Sequence, residues 1–106
     1  MALLGWFDTK EVDVFAQWVV EELRGRLAPA TLDRPDRKMG DRVHRMTEAI
    51  SDRARDFATK HKPNLYKRAH LGNRVKWGLK EAGYPEEFIT AFTTELITLV
   101  TVAGRG

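Results

Sequence analysis

Residues 64–92 read NLYKRAHLGNRVKWGLKEAGYPEEFITAF, and this stretch decides the fold. Asn64 is a favourable N-cap, and Gly83 stands where a left-handed residue ends a helix. Apolar residues repeat at helical spacing on both sides of that glycine. Because the connection around Gly83 is only a few residues long, the two helices must run antiparallel. The segment therefore predicts a helical hairpin made of helices 64–82 and 85–103.

Two longer helices are predicted before this hairpin. The first covers residues 8–28, where Asp8 and Glu11 have capping-box spacing and Pro29 ends the apolar repeat. The second covers residues 35–62 and ends before a proline, which disfavours helical geometry in the preceding residue. Its apolar residues recur at spacings of four and three, forming a narrow seam. This seam consists of Met39, Val43, Met46, Ile50, Ala54 and Phe57.

The length and composition fit one helical domain. The chain has 106 residues, of which 42% are hydrophobic and 31% charged, and this length encloses a single modest core. A strand over residues 96–102 is a competing local interpretation, since β-branched residues dominate there, but no second strand is predicted to pair with it. We therefore predict an all-α, four-helix bundle-like domain spanning residues 1–106. Residues 1–7 are expected to form an N-terminal tail and residues 28–35 a linker.

Catalytic and metal-binding motifs are not supported by the sequence. There is no cysteine, and Ser51 lies mid-helix rather than on the strained turn of a nucleophile elbow. The three histidines lack metal-type spacing, and Gly72 and Gly78 are isolated glycines, better suited to close helix contacts than to a phosphate loop. We expect no cofactor, no metal and no catalytic residue. An active site assembled from distant residues remains the open alternative.

The strongest local bias lies between residues 63 and 80, which carry five bases and no acid. Aromatic rings beside bases are typical of single-stranded nucleic-acid binding, which combines phosphate attraction with base stacking. The candidate binding residues are Tyr66, Lys67, His70, Arg74, Lys76, Trp77 and Lys80. Aromatic residues at helical spacing more often pack against a neighbouring helix, with lysines at the edges, and that interpretation is favoured here. It predicts that Trp77 is buried.

The last helix suggests an oligomer. From Phe88 to Gly104 its only charge is Glu95, and a threonine stripe lies opposite its apolar face. Burial on both sides is expected, and a symmetric homodimer is the simplest way to achieve it. The stripe consists of Thr90, Thr94, Thr98 and Thr101. The predicted helix is too short and too rich in threonine for a membrane span.

A buried ion pair is also predicted. Arg68 and Glu95 are each the single charge on an otherwise apolar face of the two antiparallel helices. Counting outward from the turn near Gly83 places them within about one helical turn of each other. The sequence thus predicts an Arg68–Glu95 salt bridge shielded from solvent.

Net charge and the N-terminal sequence bear on where the protein acts and on its partners. The net charge is +3, with the basic residues concentrated in the middle of the chain. The N-terminus has neither the basic region nor the apolar run of a signal peptide, so a cytoplasmic protein is expected. Neither the start of the first helix nor the Gly83–Tyr84–Pro85 turn carries a family signature. The sequence therefore predicts a small soluble module that mediates protein contacts or forms a homo-oligomer, without catalytic activity and with no membrane partner. Nucleic-acid binding through helix 64–80 is the alternative.

Overall fold

A computed structural model describes residues 2–32 and 37–105 and confirms the all-α, bundle-like architecture. Within these ranges the helices are α1 (Ala2–Phe7), α2 (Lys10–Arg26), α3 (Pro29–Leu32), α4 (Met39–His61), α5 (Leu65–Ala82) and α6 (Glu86–Arg105). The four long helices match the four predicted ones to within a few residues at each described boundary. The described ranges contain no strand, and residues 96–102 lie inside α6. The competing strand interpretation is therefore excluded.

The ends of α5 form as the sequence predicts. The Asn64 side chain accepts a hydrogen bond from the Lys67 backbone N–H at 2.8 Å, which satisfies a donor in the first turn. At the other end Gly83 has a φ of 96°, the left-handed conformation that glycine adopts without steric cost. The chain then turns directly into α6. The helical hairpin is thus fixed by its own cap residues.

The start of α2 differs from the capping-box prediction. The helix begins at Lys10, and Thr9 occupies the N-cap position without a side-chain cap bond. Asp8 instead accepts a hydrogen bond from the Lys10 backbone N–H at 3.1 Å, which stabilises the turn before the helix. The N-cap position is therefore one residue later than predicted.

The predicted tail and linker both contain helix. Residues 2–7 form α1, whose Trp6 carbonyl accepts a hydrogen bond from the Asn64 side chain at 3.1 Å. The linker 28–35 contains α3 in its first half, while residues 33–35 and the predicted start of the second long helix lie outside the described residues. Short helices at these places escaped prediction because they are too short to show a period.

The core lies where α2, α4, α5 and α6 meet. The α4 seam is confirmed: Met46, Ile50, Ala54 and Phe57 are buried, and the two seam residues nearest its start are half-buried. In α5 the buried line runs through Leu71, Gly72, Val75 and Leu79. The α6 line consists of Ile89, Thr93, Leu96 and Val100.

Two glycines of α5 permit close helix contacts, as predicted. A Cβ placed on Gly78 would lie 2.7 Å from Cγ2 of Val20 in α2, closer than real Cβ contacts. A Cβ on Gly72 would meet Ile97 of α6 at 3.5 Å, an ordinary contact. The α2–α5 approach therefore depends on Gly78 far more than the α5–α6 approach depends on Gly72.

One buried tyrosine closes the bundle at the α5–α6 turn. The Tyr84 hydroxyl donates a hydrogen bond to the Leu27 carbonyl at 2.7 Å, joining this turn to the end of α2. Its ring stacks on Phe88 at a centroid distance of 5.1 Å. Burial raises the pKa of Tyr84 above its usual value of 10.0, while the positive charge of Arg24 lowers that pKa by a smaller amount.

Length and composition alone would allow α6 to cross a membrane. At 20 residues the helix is longer than predicted and passes that test. The core helix of a water-soluble protein passes it too, and one face of α6 packs against α4 and α5. The finding is therefore weak evidence for a membrane span.

Candidate nucleic-acid interface

Trp77 is 56% exposed, so the prediction that it is buried is wrong. Its neighbour Gly78 makes the close contact with α2, and the buried line of α5 passes through Val75 and Leu79. Trp77 lies outside that line and faces solvent. The Lys80 ammonium lies 5.6 Å from the centroid of the indole ring, at cation–π distance. Trp77 therefore presents an exposed aromatic ring with the Lys80 ammonium beside it.

A basic cleft of about 440 Å³ lies between α5 and α6, and Trp77 is not among its described lining residues. Arg68 and Lys76 supply its two charges, and none of the described lining residues is acidic. The lining consists of Arg68, Ala69, Gly72, Asn73, Lys76, Thr93, Thr94, Ile97 and Thr98. Cationic, amide and hydroxyl donors along a groove without carboxylates are suited to phosphate oxygens.

Trp77 itself lines a second cleft, between α2 and α5, which has mixed charge. Glu21 and Glu81 line it together with Arg24 and Arg74. The Arg74 Nε also lies 3.4 Å from Oδ1 of Asp13, so its charge is partly compensated. Anions are therefore attracted to the α5–α6 cleft rather than to the α2–α5 cleft that Trp77 lines.

Two of the predicted binding residues are engaged elsewhere. The Tyr66 ring packs edge-on against Phe7 of α1 at a centroid distance of 5.1 Å. The His70 Nε2 lies 2.7 Å from Oδ1 of Asp13 and so joins α5 to the first turn of α2. The predicted group of seven therefore does not form one continuous groove, and Lys67 is half-buried beside the helix start.

Two groups of α5 residues come together: Arg68, Asn73 and Lys76 line the basic cleft, and Lys80 lies over the ring of Trp77. We call these five residues the α5 ridge. Three of them were predicted to bind nucleic acid. Arg68 was predicted in another role, and Asn73 was not among the predicted site residues. The α5 ridge combines three bases, one amide and one exposed aromatic ring.

The predicted Arg68–Glu95 ion pair is absent from the described residues. Glu95 is exposed and lines a cleft between α4 and α6, on the side of α6 away from α5. The Arg68 Nη1 donates instead to the Pro63 carbonyl at 2.9 Å. The prediction placed the two residues at the correct height but at the wrong rotation, since Thr94 rather than Glu95 faces the α5–α6 cleft.

The predicted threonine stripe is largely at the surface. Thr90, Thr94 and Thr98 are exposed and Thr101 is half-buried. The Thr98 hydroxyl donates to the Thr94 carbonyl at 2.8 Å, so it is satisfied within its own helix. The stripe is thus available to a partner without leaving this hydroxyl unpaired.

Sequence reasoning missed Thr93. It is 3% exposed, and its Oγ1 has no hydrogen-bond partner among the described residues. The burial of Thr93 could have been predicted from its helical spacing, which places it on the same side of α6 as Ile89, Leu96 and Val100. Thr93 therefore places a buried, unpaired hydroxyl in the wall of the basic cleft.

Metal chemistry finds no support in the described part of the chain. No group of three or more histidine, aspartate or glutamate side chains there is arranged to hold a metal ion. Each histidine instead meets a single carboxylate, as in the 3.4 Å contact between His61 Nδ1 and Glu11 Oε2.

Comparison with protein-family models, with curated proteins and with solved structures finds no match to this chain. The functional argument therefore rests on the geometry of the chain itself.

Proposed function

We propose that the protein binds single-stranded nucleic acid along the α5 ridge. Two observations carry the proposal: the indole of Trp77 is exposed, and the same helix borders the α5–α6 cleft, which has two bases and no acid among its described lining residues. Stacking on an aromatic side chain accepts any base, and a positively charged groove attracts the backbone. The α5 ridge offers both within about three helical turns.

The ridge residues would have different roles: the cleft residues would contact the backbone, and Trp77 would stack on a base. Arg68 and Lys76 are eight residues apart, which is about 12 Å along the helix axis. That separation suits successive phosphates of a chain better than a single phosphate group. Asn73 lies between them and can donate its amide to a phosphate or a base edge. The nucleic-acid backbone would follow the α5–α6 cleft, with a base stacked on Trp77.

A single strand fits this surface better than a duplex. Stacking on Trp77 requires the face of a base, and a duplex keeps those faces stacked on one another. The α5 helix also packs between α2 and α6, which restrict its entry into a duplex groove. We therefore expect short single-stranded RNA or DNA to bind more tightly than a duplex of the same sequence.

Fluorescence anisotropy of a labelled single-stranded oligonucleotide tests the proposal. The Trp77→Ala variant should lose about 1–3 kcal/mol of binding free energy, roughly 5- to 150-fold in affinity. Trp6→Ala is the matched control, because Trp6 is also about half exposed but lies on α1. Equal affinities for Trp77→Ala and the unaltered protein would overturn the proposal.

A homodimer through α6 is the second candidate. On the outward face of α6, Thr90, Thr94, Thr98 and Val102 are exposed, and none of these four residues carries a charge. Small side chains let two helices approach closely, and a two-fold pair is the usual outcome. Because Thr94 and Thr98 also line the basic cleft, such a dimer would cover part of the α5 ridge.

Light scattering tests the dimer. A dimeric mass at tens of micromolar is expected, and Thr94→Arg should return the mass to that of a monomer without unfolding the chain. Thr59→Arg, on an exposed threonine of α4, is the matched control and should leave the mass unchanged. A monomeric mass for the unaltered protein would exclude this candidate. Added oligonucleotide should shift the mass towards the monomer if both candidates hold.

A further inference from the structure

Large exposed apolar side chains are concentrated at one end of the bundle. The starts of α2 and α5 and the end of α4 meet there, as the Glu11–His61 and Asp13–His70 contacts show. The α6 helix returns antiparallel to α5 and ends there too. Of the seven large apolar side chains exposed in the described residues, all but Trp77 lie within about a turn of this end. These six, which we call the apolar end, are Trp6, Phe7, Val14, Leu65, Tyr66 and Val102.

The apolar end is held in place rather than folded onto the core. The Asn64 side chain donates to the Trp6 carbonyl, and Phe7 packs edge-on against Tyr66. These contacts fix α1 on the start of α5 while about half of the Trp6 and Phe7 surfaces stays exposed. Leu65 is 71% exposed in the same place. Solvent-exposed apolar side chains clustered in this way mark an interaction surface.

The charges around this end are mainly positive. Residues 60–68 contain four bases and one histidine and no acid. Asp8, Glu11 and Asp13 are the acids at or just before the start of α2, and Asp13 contacts Arg74. Lys10 and the four bases of residues 60–68 outnumber these three acids, so this end has an excess of positive charge. An anionic partner is complementary to it.

A second copy of the chain is a poor partner for this surface. The Cα atoms extend 51 Å along the molecule and 27 and 19 Å across it. The cross-section at an end is therefore about 27 by 19 Å, roughly 500 Å², which is small beside the roughly 800 Å² of accessible surface that each partner buries in a standard interface. Two such ends would also bring like charges together. An anionic lipid surface avoids both the small contact area and the like-charge repulsion, because it accepts a small apolar end and supplies negative headgroups.

We propose that the apolar end docks into the interfacial layer of an anionic lipid membrane. Tryptophan and tyrosine favour this layer because each has an apolar body and a polar tip. Lysine and arginine beside them contact anionic headgroups, each contributing about 1 kcal/mol near the surface. This docking is peripheral, requires no spanning helix and differs from the sequence-based expectation of no membrane partner. The apolar side chains of this end are separate from Trp77, which lies on the other half of α5, while Arg68 belongs to both proposed surfaces.

Vesicle co-sedimentation tests the docking. Vesicles of phosphatidylcholine containing about 30% phosphatidylglycerol should bind the protein, and vesicles of phosphatidylcholine alone should bind it more weakly. Leu65→Gln and Trp6→Gln should each lower the partition coefficient about tenfold, since each removes an apolar side chain from the lipid layer. Both substitutions are neutral, so charge repulsion does not contribute. Trp77→Ala is the matched control and should bind as the unaltered protein does.

Three outcomes would overturn the proposal. The first is the absence of binding to the anionic vesicles. The second is an equal loss in Trp77→Ala, which would assign lipid binding to the α5 ridge. The third is a concentration-dependent mass that Leu65→Gln abolishes, which would assign the apolar end to a second copy. Unchanged circular dichroism of the variants shows that they fold, and retained oligonucleotide binding by Leu65→Gln separates this proposal from the first.

Discussion

Val20 of α2 lies so close to Gly78 of α5 that a Cβ on the glycine would be 2.7 Å from the valine Cγ2. The two helices therefore touch at a point where one of them has no side chain. Because Gly78 faces α2 at this contact, the side chain of its neighbour Trp77 is exposed to solvent. The exposed platform of the proposed interface thus depends on a glycine one residue away.

Gly78→Ala should destabilise the protein. The added methyl group overlaps Val20, and relieving such an overlap by shifting the helices costs about 1–3 kcal/mol. Gly25→Ala is the matched control, because that glycine lies in α2 with nothing within 4 Å of a Cβ. Higher helix propensity should make Gly25→Ala neutral or stabilising by up to about 1 kcal/mol. Chemical denaturation measures both, and equal stabilities would contradict the close contact.

Tyr84→Phe should lower the free energy of unfolding by about 1–2 kcal/mol, since it removes a buried hydrogen bond and leaves the Leu27 carbonyl without its partner. The matched control is Tyr66→Phe, which alters an exposed tyrosine and should change stability by less than about 0.5 kcal/mol. Urea denaturation of the two variants compares them directly. A larger loss in Tyr66→Phe would show that the Tyr84 bond contributes little.

Alkaline pH should weaken the fold through Tyr84. Burial raises the pKa of this phenol in the folded chain above its unfolded value of 10.0. The folded state therefore holds the proton over a pH range in which the unfolded state releases it. The contribution of Tyr84 to stability is complete below about pH 10 and is lost as the pH rises through the folded pKa. Unfolding free energies measured from pH 9 to 11 should fall more steeply for the unaltered protein than for Tyr84→Phe, and parallel curves would refute this.

Thr93→Val should stabilise the protein. The hydroxyl is buried without a hydrogen-bond partner among the described residues, and such a group costs about 1–3 kcal/mol. Valine has nearly the same shape and carries no polar atom. Thr98→Val is the control, because the Thr98 hydroxyl is exposed and already bonded to its own helix. A loss of stability in Thr93→Val alone would show that its hydroxyl has a partner.

The sequence predicts the long helices well because their signals are local. The Asn64 cap, the left-handed Gly83 and the regular α4 seam each depend on residues a few positions apart. The short helices α1 and α3 carry no such signal, since four to six residues do not reveal a period. The N-terminal tail was therefore missed as a helix even though its aromatic residues were visible.

The candidate site was predicted only in part, because rotation about a helix axis depends on tertiary contacts. The bases of α5 were recognised, but the burial of Trp77 was predicted wrongly, since the contact at Gly78 is set by α2. The same limit explains Arg68 and Glu95, where about 100° of rotation separates Thr94, which faces the cleft, from Glu95, which does not.

The central claim, that a nucleic-acid base stacks on Trp77, is tested most directly by the fluorescence of that residue. In a variant carrying Trp6→Phe and Trp18→Phe, Trp77 is the only tryptophan of the three in the chain that remains. Titration with a single-stranded oligonucleotide at low salt should quench its emission, and raising the salt from about 50 to 200 mM should reverse the quenching as phosphate contacts weaken. Emission that stays constant while anisotropy shows the oligonucleotide to be bound would contradict the account.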